Sequence, residues 1–175
     1  VKDVGPGVRK VKAGDHVVLH WVKGSGIDSA PPRYNWDGTS VSAGWVTTFS
    51  QHTVASENRV TVIDPDIDLE VAALLGCAVT TGLGIVFNNA ALMPGQSIAV
   101  FGVGGIGLNV LQGATLVNAY PIVGIDLHDN KLEQAKEFGA THTVNASKQD
   151  VEAFLRDLVS PKGCDATVDL TGNSG

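Results

Sequence analysis

Cysteine is scarce: Cys77 and Cys164 are the only two in 175 residues. They stand far apart, which excludes the disulfide framework of a small secreted scaffold. Long hydrophobic runs are missing too. No segment reaches about 18 uninterrupted apolar residues, and the N-terminal VKDVGPGVRKVK has no apolar signal core, so neither a membrane-spanning helix nor a signal peptide is expected. Positive charge is short, with 12 Lys and Arg against 18 Asp and Glu and a net charge of −6, and no basic stripe forms. That balance argues against a nucleic-acid partner. The expected setting is the cytoplasm. What remains is a core-forming composition, 43% hydrophobic and 17% charged, with room for one ordinary domain or two small ones. Tryptophan is limited to three residues, whereas 21 glycines point to tight turns and close backbone approaches.

Three textures follow one another along the chain. Residues 1–63 are rich in Gly, Ser, Thr and Val, and VVLHWV (17–22) and HTVASENRVTVI (52–63) have strand-like content. Between these, GSGIDSAPPRYNWDGTSVSAG (24–44) has no periodicity and reads as an irregular surface loop, ordered by its prolines and by Tyr34, Trp36 and Trp45. Residues 64–95 read as two short helices meeting near Cys77, with Asp68 as N-cap and Ala72, Leu75, Val79 and Leu83 at helical spacing. Residues 96–175 alternate strand and helix. SIAVFG, PIVGID, THTVN and ATVDLTG read as strands; 105–119, 129–139 and 148–159 read as helices. That alternation predicts βαβ units and a parallel sheet. Cys164, at the start of the fourth strand, is expected to be a buried core thiol.

Gly102, Gly104 and Gly107 in FGVGGIGL form G-x-G-x-x-G, with Gly105 inside the loop. The loop follows an apolar strand and opens a helix, as a dinucleotide site requires. The first glycine permits the turn, the second lets backbone approach a pyrophosphate, and the third lets helix pack on strand. Asp126 closes the second strand, where a carboxylate accepts hydrogen bonds from the adenosine ribose and repels a 2′-phosphate. The pattern points to NAD rather than NADP. For Cys77, in LLGCAVTTG, the residues alone leave two readings open: core packing or a metal ligand.

In order and spacing, GPGVRKVKAGDHV, TFSQHTV, LLGCAVTTG, PGQSIAVFGVGGIGL and the Asp126 strand resemble the zinc-containing medium-chain alcohol dehydrogenases. The resemblance implies an α/β fold: a Rossmann-type sheet of strands one to four over 96–175, connecting helices over 64–95, and part of a GroES-like β domain over 1–63. It implies Cys77 as the third protein ligand of a catalytic zinc, Thr81 near the nicotinamide, Ile106 behind its ring, and Asp126 and Lys131 at the adenosine ribose. The implied reaction is hydride transfer between a small alcohol or aldehyde and NAD, by a protein that is a homo-oligomer at full length.

Two departures shape what is expected of this chain. In the family, the first cysteine ligand and a His-Glu pair precede a segment like VKDVGPGV, and strands beyond the fourth complete the sheet. The expectation is therefore a central part of a longer dehydrogenase, with an incomplete catalytic zinc site and no alcohol turnover of its own. The loop at 24–44 has none of the cysteines that hold a structural zinc in many members. His16, His20, His52, His128 and His142 show no ligand spacing and read as solvated or strand-face residues. Two alternatives remain: a zinc-free NADPH quinone or enoyl reductase of the same superfamily, and a non-catalytic nucleotide-binding module.

Overall fold

Val17 to Leu19 follow the Gly14-Asp15 turn and form β1 (Val17–Leu19). A hairpin follows, β2 (Tyr34–Trp36) and β3 (Thr39–Val41), and then β4 (Val60–Val62). β1 and β4 pair antiparallel with Val17 opposite Val62 and Leu19 opposite Val60. The computed structural model describes residues 1–172, and the chain divides into two units, Val1–Cys77 and Ala78–Gly175.

The hairpin corrects the irregular loop expected over 24–44. Asp37 and Gly38 both take positive φ, 48° and 81°, the geometry of a two-residue turn whose twist matches the flanking strands. The Asn35 side chain accepts the Gly38 N–H at 2.8 Å. Trp36, expected to order this segment, lies 70% exposed on the hairpin; Tyr34 does the tying, its hydroxyl accepting the Val54 N–H at 2.9 Å.

Strand content over 52–63 narrows to three residues, because Glu57–Arg59 turns into a 3₁₀ helix. The Glu57 carboxylate explains the turn. It accepts backbone N–H groups from Ile27 at 2.8 Å and from Arg9 and Lys10 at 2.6 Å each. Those three donors hold its carboxyl below the usual glutamate range, Ile27 contributing most. The unit closes with α1 (Leu69–Leu74), started by Asp68, whose side chain accepts the Glu70 N–H at 2.8 Å.

The second unit starts with α2 (Ala78–Gly84) and a π-helical turn at Ile85–Asn89. Then come β5 (Ile98–Phe101), α3 (Gly105–Leu116), β6 (Ile122–Asp126), α4 (Asp129–Glu137), β7 (His142–Asn145), α5 (Val151–Leu158) and β8 (Ala166–Asp169). The four strands form one parallel sheet in the order β7-β6-β5-β8, the arrangement expected of a Rossmann-type half. Alternate residues of β5 face opposite layers. Ile98 and Val100 pack with Leu111 and Leu132 of α3 and α4, and Ala99 packs with Val123 and Val144 beneath Phe154 and Leu155 of α5.

Local chemistry sets the element ends. Gly139 (φ 104°) follows α4, Asp150 caps α5 by accepting the Ala153 N–H at 3.1 Å, and Asn118 (φ 55°) lies just past α3. Cys164 is half-buried against the α5 layer, two residues before β8, not fully buried as expected. Burial pushes its thiol up, partly offset by a hydrogen bond with Ser97. Among the described residues, no helix is long and apolar enough to cross a membrane.

Candidate functional site

Strand β5 has β6 on one side and β8 on the other, so the chain leaves its C-terminal end in opposite directions and opens a crevice there. A cleft of about 560 Å³ lies at this point, walled by Gly102, Gly104, Asp126, His128, Lys131 and Thr171 among others. The three glycines differ in what surrounds them. Gly102 turns the chain with φ 86°, and its N–H is held by the Ile125 carbonyl at 2.8 Å. Gly104 and Gly105 have open space where a Cβ would stand, leaving the loop bare toward a ligand. A methyl on Gly107 would collide with the Gly102 carbonyl oxygen, so only glycine lets α3 approach the strand this closely. Gly104 caps α3 with no side-chain acceptor, leaving the first N–H groups of the helix for an anion.

Asp126 ends β6 at the lip of the cleft. Its Oδ1 accepts the Leu127 N–H at 2.8 Å and the His128 N–H at 3.1 Å. Its Oδ2 accepts the Val103 N–H at 3.1 Å and stands 3.8 Å from the Lys131 ammonium. With about two acceptor positions per carboxylate oxygen, Oδ1 is saturated and Oδ2 keeps one acceptor position open. The side chain is 8% exposed and pinned in place.

The structure thus gathers Gly102, Gly104, Asp126 and Lys131 around one cleft. Gly105, Ile106 and Gly107 form the first turn of α3 beside it, with Ile106 half-buried against the core. Thr81 is exposed on α2, which packs tightly on α3 because Gly82 has no side chain to meet the Ile106 carbonyl and Asn109. Sequence reasoning missed the far wall, Ala146, Leu170 and Thr171. Their signal was positional, since each lies just past the C-terminal end of a parallel strand.

Cys77 belongs to the first unit, where it is exposed at a groove of about 490 Å³ together with Val17, Leu19, Trp21, Val46 and Leu69. Its exposure removes the core-packing reading. A catalytic zinc needs three protein ligands. Among the described residues no group of three His, Cys, Asp or Glu stands together to hold a metal, so they do not by themselves make that site. Two of the histidines have other company. His20 bonds the Val22 carbonyl and Thr61 hydroxyl, and His142 meets Tyr120 and Phe154 edge-on.

Residues 105–175, from the first turn of α3 onward, match the family model for zinc-binding dehydrogenases. Nearly the whole chain, 99%, aligns at 37% identity with an alcohol dehydrogenase class-3 from Cereibacter sphaeroides, covering 55% of that protein. The chain belongs to the zinc-containing medium-chain alcohol dehydrogenase family. A second member of the family, an S-(hydroxymethyl)glutathione dehydrogenase of Escherichia coli, is 36% identical, with 99% of this chain and 54% of that protein covered. The structure superposes with a TM-score of 0.82, at 28% identity, on an alcohol dehydrogenase zinc-binding domain protein from Burkholderia ambifaria, covering 98% of this chain and 53% of that one. The chain spans about half the length of the curated family members it matches.

Proposed function

We propose that the second unit binds NAD, and that the polypeptide carrying this sequence transfers a hydride between a small alcohol or aldehyde and that cofactor. The observation that carries the reading is the pinned Asp126 carboxylate facing the open Gly104 loop across one cleft. The residues fit the dinucleotide part by part. The N–H groups opening α3 receive the pyrophosphate, Oδ2 of Asp126 receives a ribose hydroxyl, and Lys131 lies beside it to orient the sugar. A 2′-phosphate would meet the Asp126 charge at short range, which disfavours NADP. Bound NAD supplies the nicotinamide ring that accepts or returns the hydride. Thr81 and Ile106 are assigned to the nicotinamide end. Cys77 is assigned as one zinc ligand on the strength of family membership. Because the described residues bring only this thiol toward a metal, the 175-residue chain is expected to bind NAD without turning over alcohol.

Calorimetric titration of the chain with NAD and NADP tests the reading. NAD should bind at least about tenfold more tightly, a gap of about 1.4 kcal/mol. Asp126→Asn should weaken NAD and narrow that gap. Tighter binding of NADP would overturn the assignment in favour of the zinc-free reductases.

A further inference from the structure

A cavity of about 530 Å³ in the first unit is lined by Gly7, Arg9, Lys10, Ser25, Gly26 and Glu57 among others. It shares no residue with the groove that holds Cys77. The acid in its wall, Glu57, is 7% exposed. Oε1 of Glu57 is saturated by the Arg9 and Lys10 N–H groups, whereas Oε2 accepts only the Ile27 N–H. A buried carboxylate thus keeps one acceptor position open beside the cavity. Gly26, at φ 118°, leaves that oxygen uncovered: a Cβ there would stand 3.0 Å from Oε2 and 2.8 Å from Cγ.

Donors without partners collect around it. The Gly7, Ser25 and Gly26 N–H groups make no hydrogen bond among the described residues, and neither does the Ser25 hydroxyl. The Arg9 guanidinium has no ion pair or hydrogen bond among them either. The Lys10 ammonium uses one of its three N–H bonds, on the Ser25 carbonyl at 3.3 Å. Lys10 and Glu57 therefore grip the loop on either side of Gly26, through the Ser25 carbonyl and the Ile27 N–H. Two cations accompany one carboxylate here, a local excess of positive charge on a chain of net charge −6.

Glu57 decides which anion fits. Its N–H donors, Ile27 first, hold the carboxyl below the usual glutamate range, so near neutral pH it is ionised and can only accept. An anion without a proton would answer the cations but repel this oxygen. An anion that carries an O–H can donate to it. Sulfate and phosphodiesters have no such proton near neutral pH, whereas hydrogen phosphate has one. The cavity volume leaves space for a small organic group on the phosphate.

We propose that this cavity binds a protonated phosphate group, free or on a small monoester. The P–O–H donates to Oε2 of Glu57, and the remaining oxygens accept from Arg9, Lys10 and the unpaired loop amides. The site is separate from the nucleotide cleft, and NAD carries no group of this kind because its pyrophosphate is fully ionised.

The test titrates the ¹⁵N-labelled chain at about pH 7 with inorganic phosphate, sulfate and dimethyl phosphate at matched ionic strength. Phosphate should shift the Gly7, Ser25 and Gly26 amides to saturation, and the other two anions should bind at least about tenfold more weakly. Arg9→Ala and Lys10→Ala, which keep the backbone donors to Glu57, should each weaken phosphate about tenfold. Glu57→Gln, whose amide brings N–H donors, should let sulfate bind as tightly as phosphate. If that variant loses its fold, the other two substitutions and the anion series still decide. Glycerol 3-phosphate separates the two sources. A monoester loses its last proton near pH 6, so it should weaken at least about tenfold from about pH 5.5 to about pH 7.5, with inorganic phosphate changing far less. Tighter binding of glycerol 3-phosphate than of inorganic phosphate at about pH 5.5 supports a monoester as the ligand, and the reverse order supports free phosphate. Sulfate matching phosphate in the wild type would overturn the proposal and leave only unselective attraction to two cations. Unchanged phosphate affinity in Arg9→Ala and Lys10→Ala, no saturable shift of the three amides, or a bound monoester indifferent to pH would also overturn it.

Discussion

Residues 78–172 bury Ile98, Val100, Leu111, Val123 and Val144 completely, whereas among residues 1–77 only Val18, Val60 and Ala72 are buried apolar side chains. What the first unit buries instead is the run Ser56, Glu57, Asn58 and Arg59. One unit is an apolar sandwich of sheet and helices. The other is organised by a polar turn whose carboxylate gathers backbone from Arg9, Lys10 and Ile27, and whose guanidinium lies between two indoles. The difference shows how short strands can be held without a continuous core. A buried polar group that satisfies several backbone donors at once replaces area removed from water with directed bonds.

The largest expected effect probes the apolar side of this contrast. Leu111→Ala should cost about 2–5 kcal/mol in the second unit, read as a lower midpoint in hydrogen exchange of the β5 and β6 amides. All three tryptophans lie in the first unit, so their fluorescence reports that unit separately and should shift far less. Equal shifts in both signals would break the contrast.

Glu57→Gln probes the polar side. The folded carboxyl of Glu57 is depressed below its ordinary value of 4.5. Its stabilisation is therefore complete above that value and is lost as pH falls through the lower folded-state pKa. The wild-type tryptophan signal should show an acid transition below the ordinary glutamate range. Glu57→Gln should lower stability at neutral pH and flatten that pH dependence. An acid profile identical to wild type would show that the Glu57 charge does not organise the unit.

The smallest effect belongs to the hairpin. Gly38→Ala places a side chain at φ 81° and should cost about 1 kcal/mol, visible as a modest drop in the fluorescence midpoint. A larger loss would mean that the hairpin, and not the turn at 56–59, holds the first unit together.

Much of the second unit was legible because its signals are local. Apolar runs, a glycine loop after a strand, Asp126 at the end of the next strand and the helix-ending Gly139 each act within a few residues. The hairpin at 34–41 was also legible in principle, since Asp37-Gly38 is a local turn signal, but the absence of alternating apolar residues around it hid the strands. Glu57 and Arg59 read as strand content, because their bonds and ring contacts reach residues up to 48 positions away in the chain.

By itself, then, the sequence determined the α/β order of the second unit, the glycine loop and the acid that faces it, because each depends on backbone sterics and periodicity over short spans. Only the tertiary structure decided that Oδ1 of Asp126 is saturated while Oδ2 stays open, that Leu170 and Thr171 wall the cleft, and that Arg59 is buried between Trp21 and Trp45. Those features depend on which distant groups meet in space and which water is excluded between them, and no short stretch of chain specifies that.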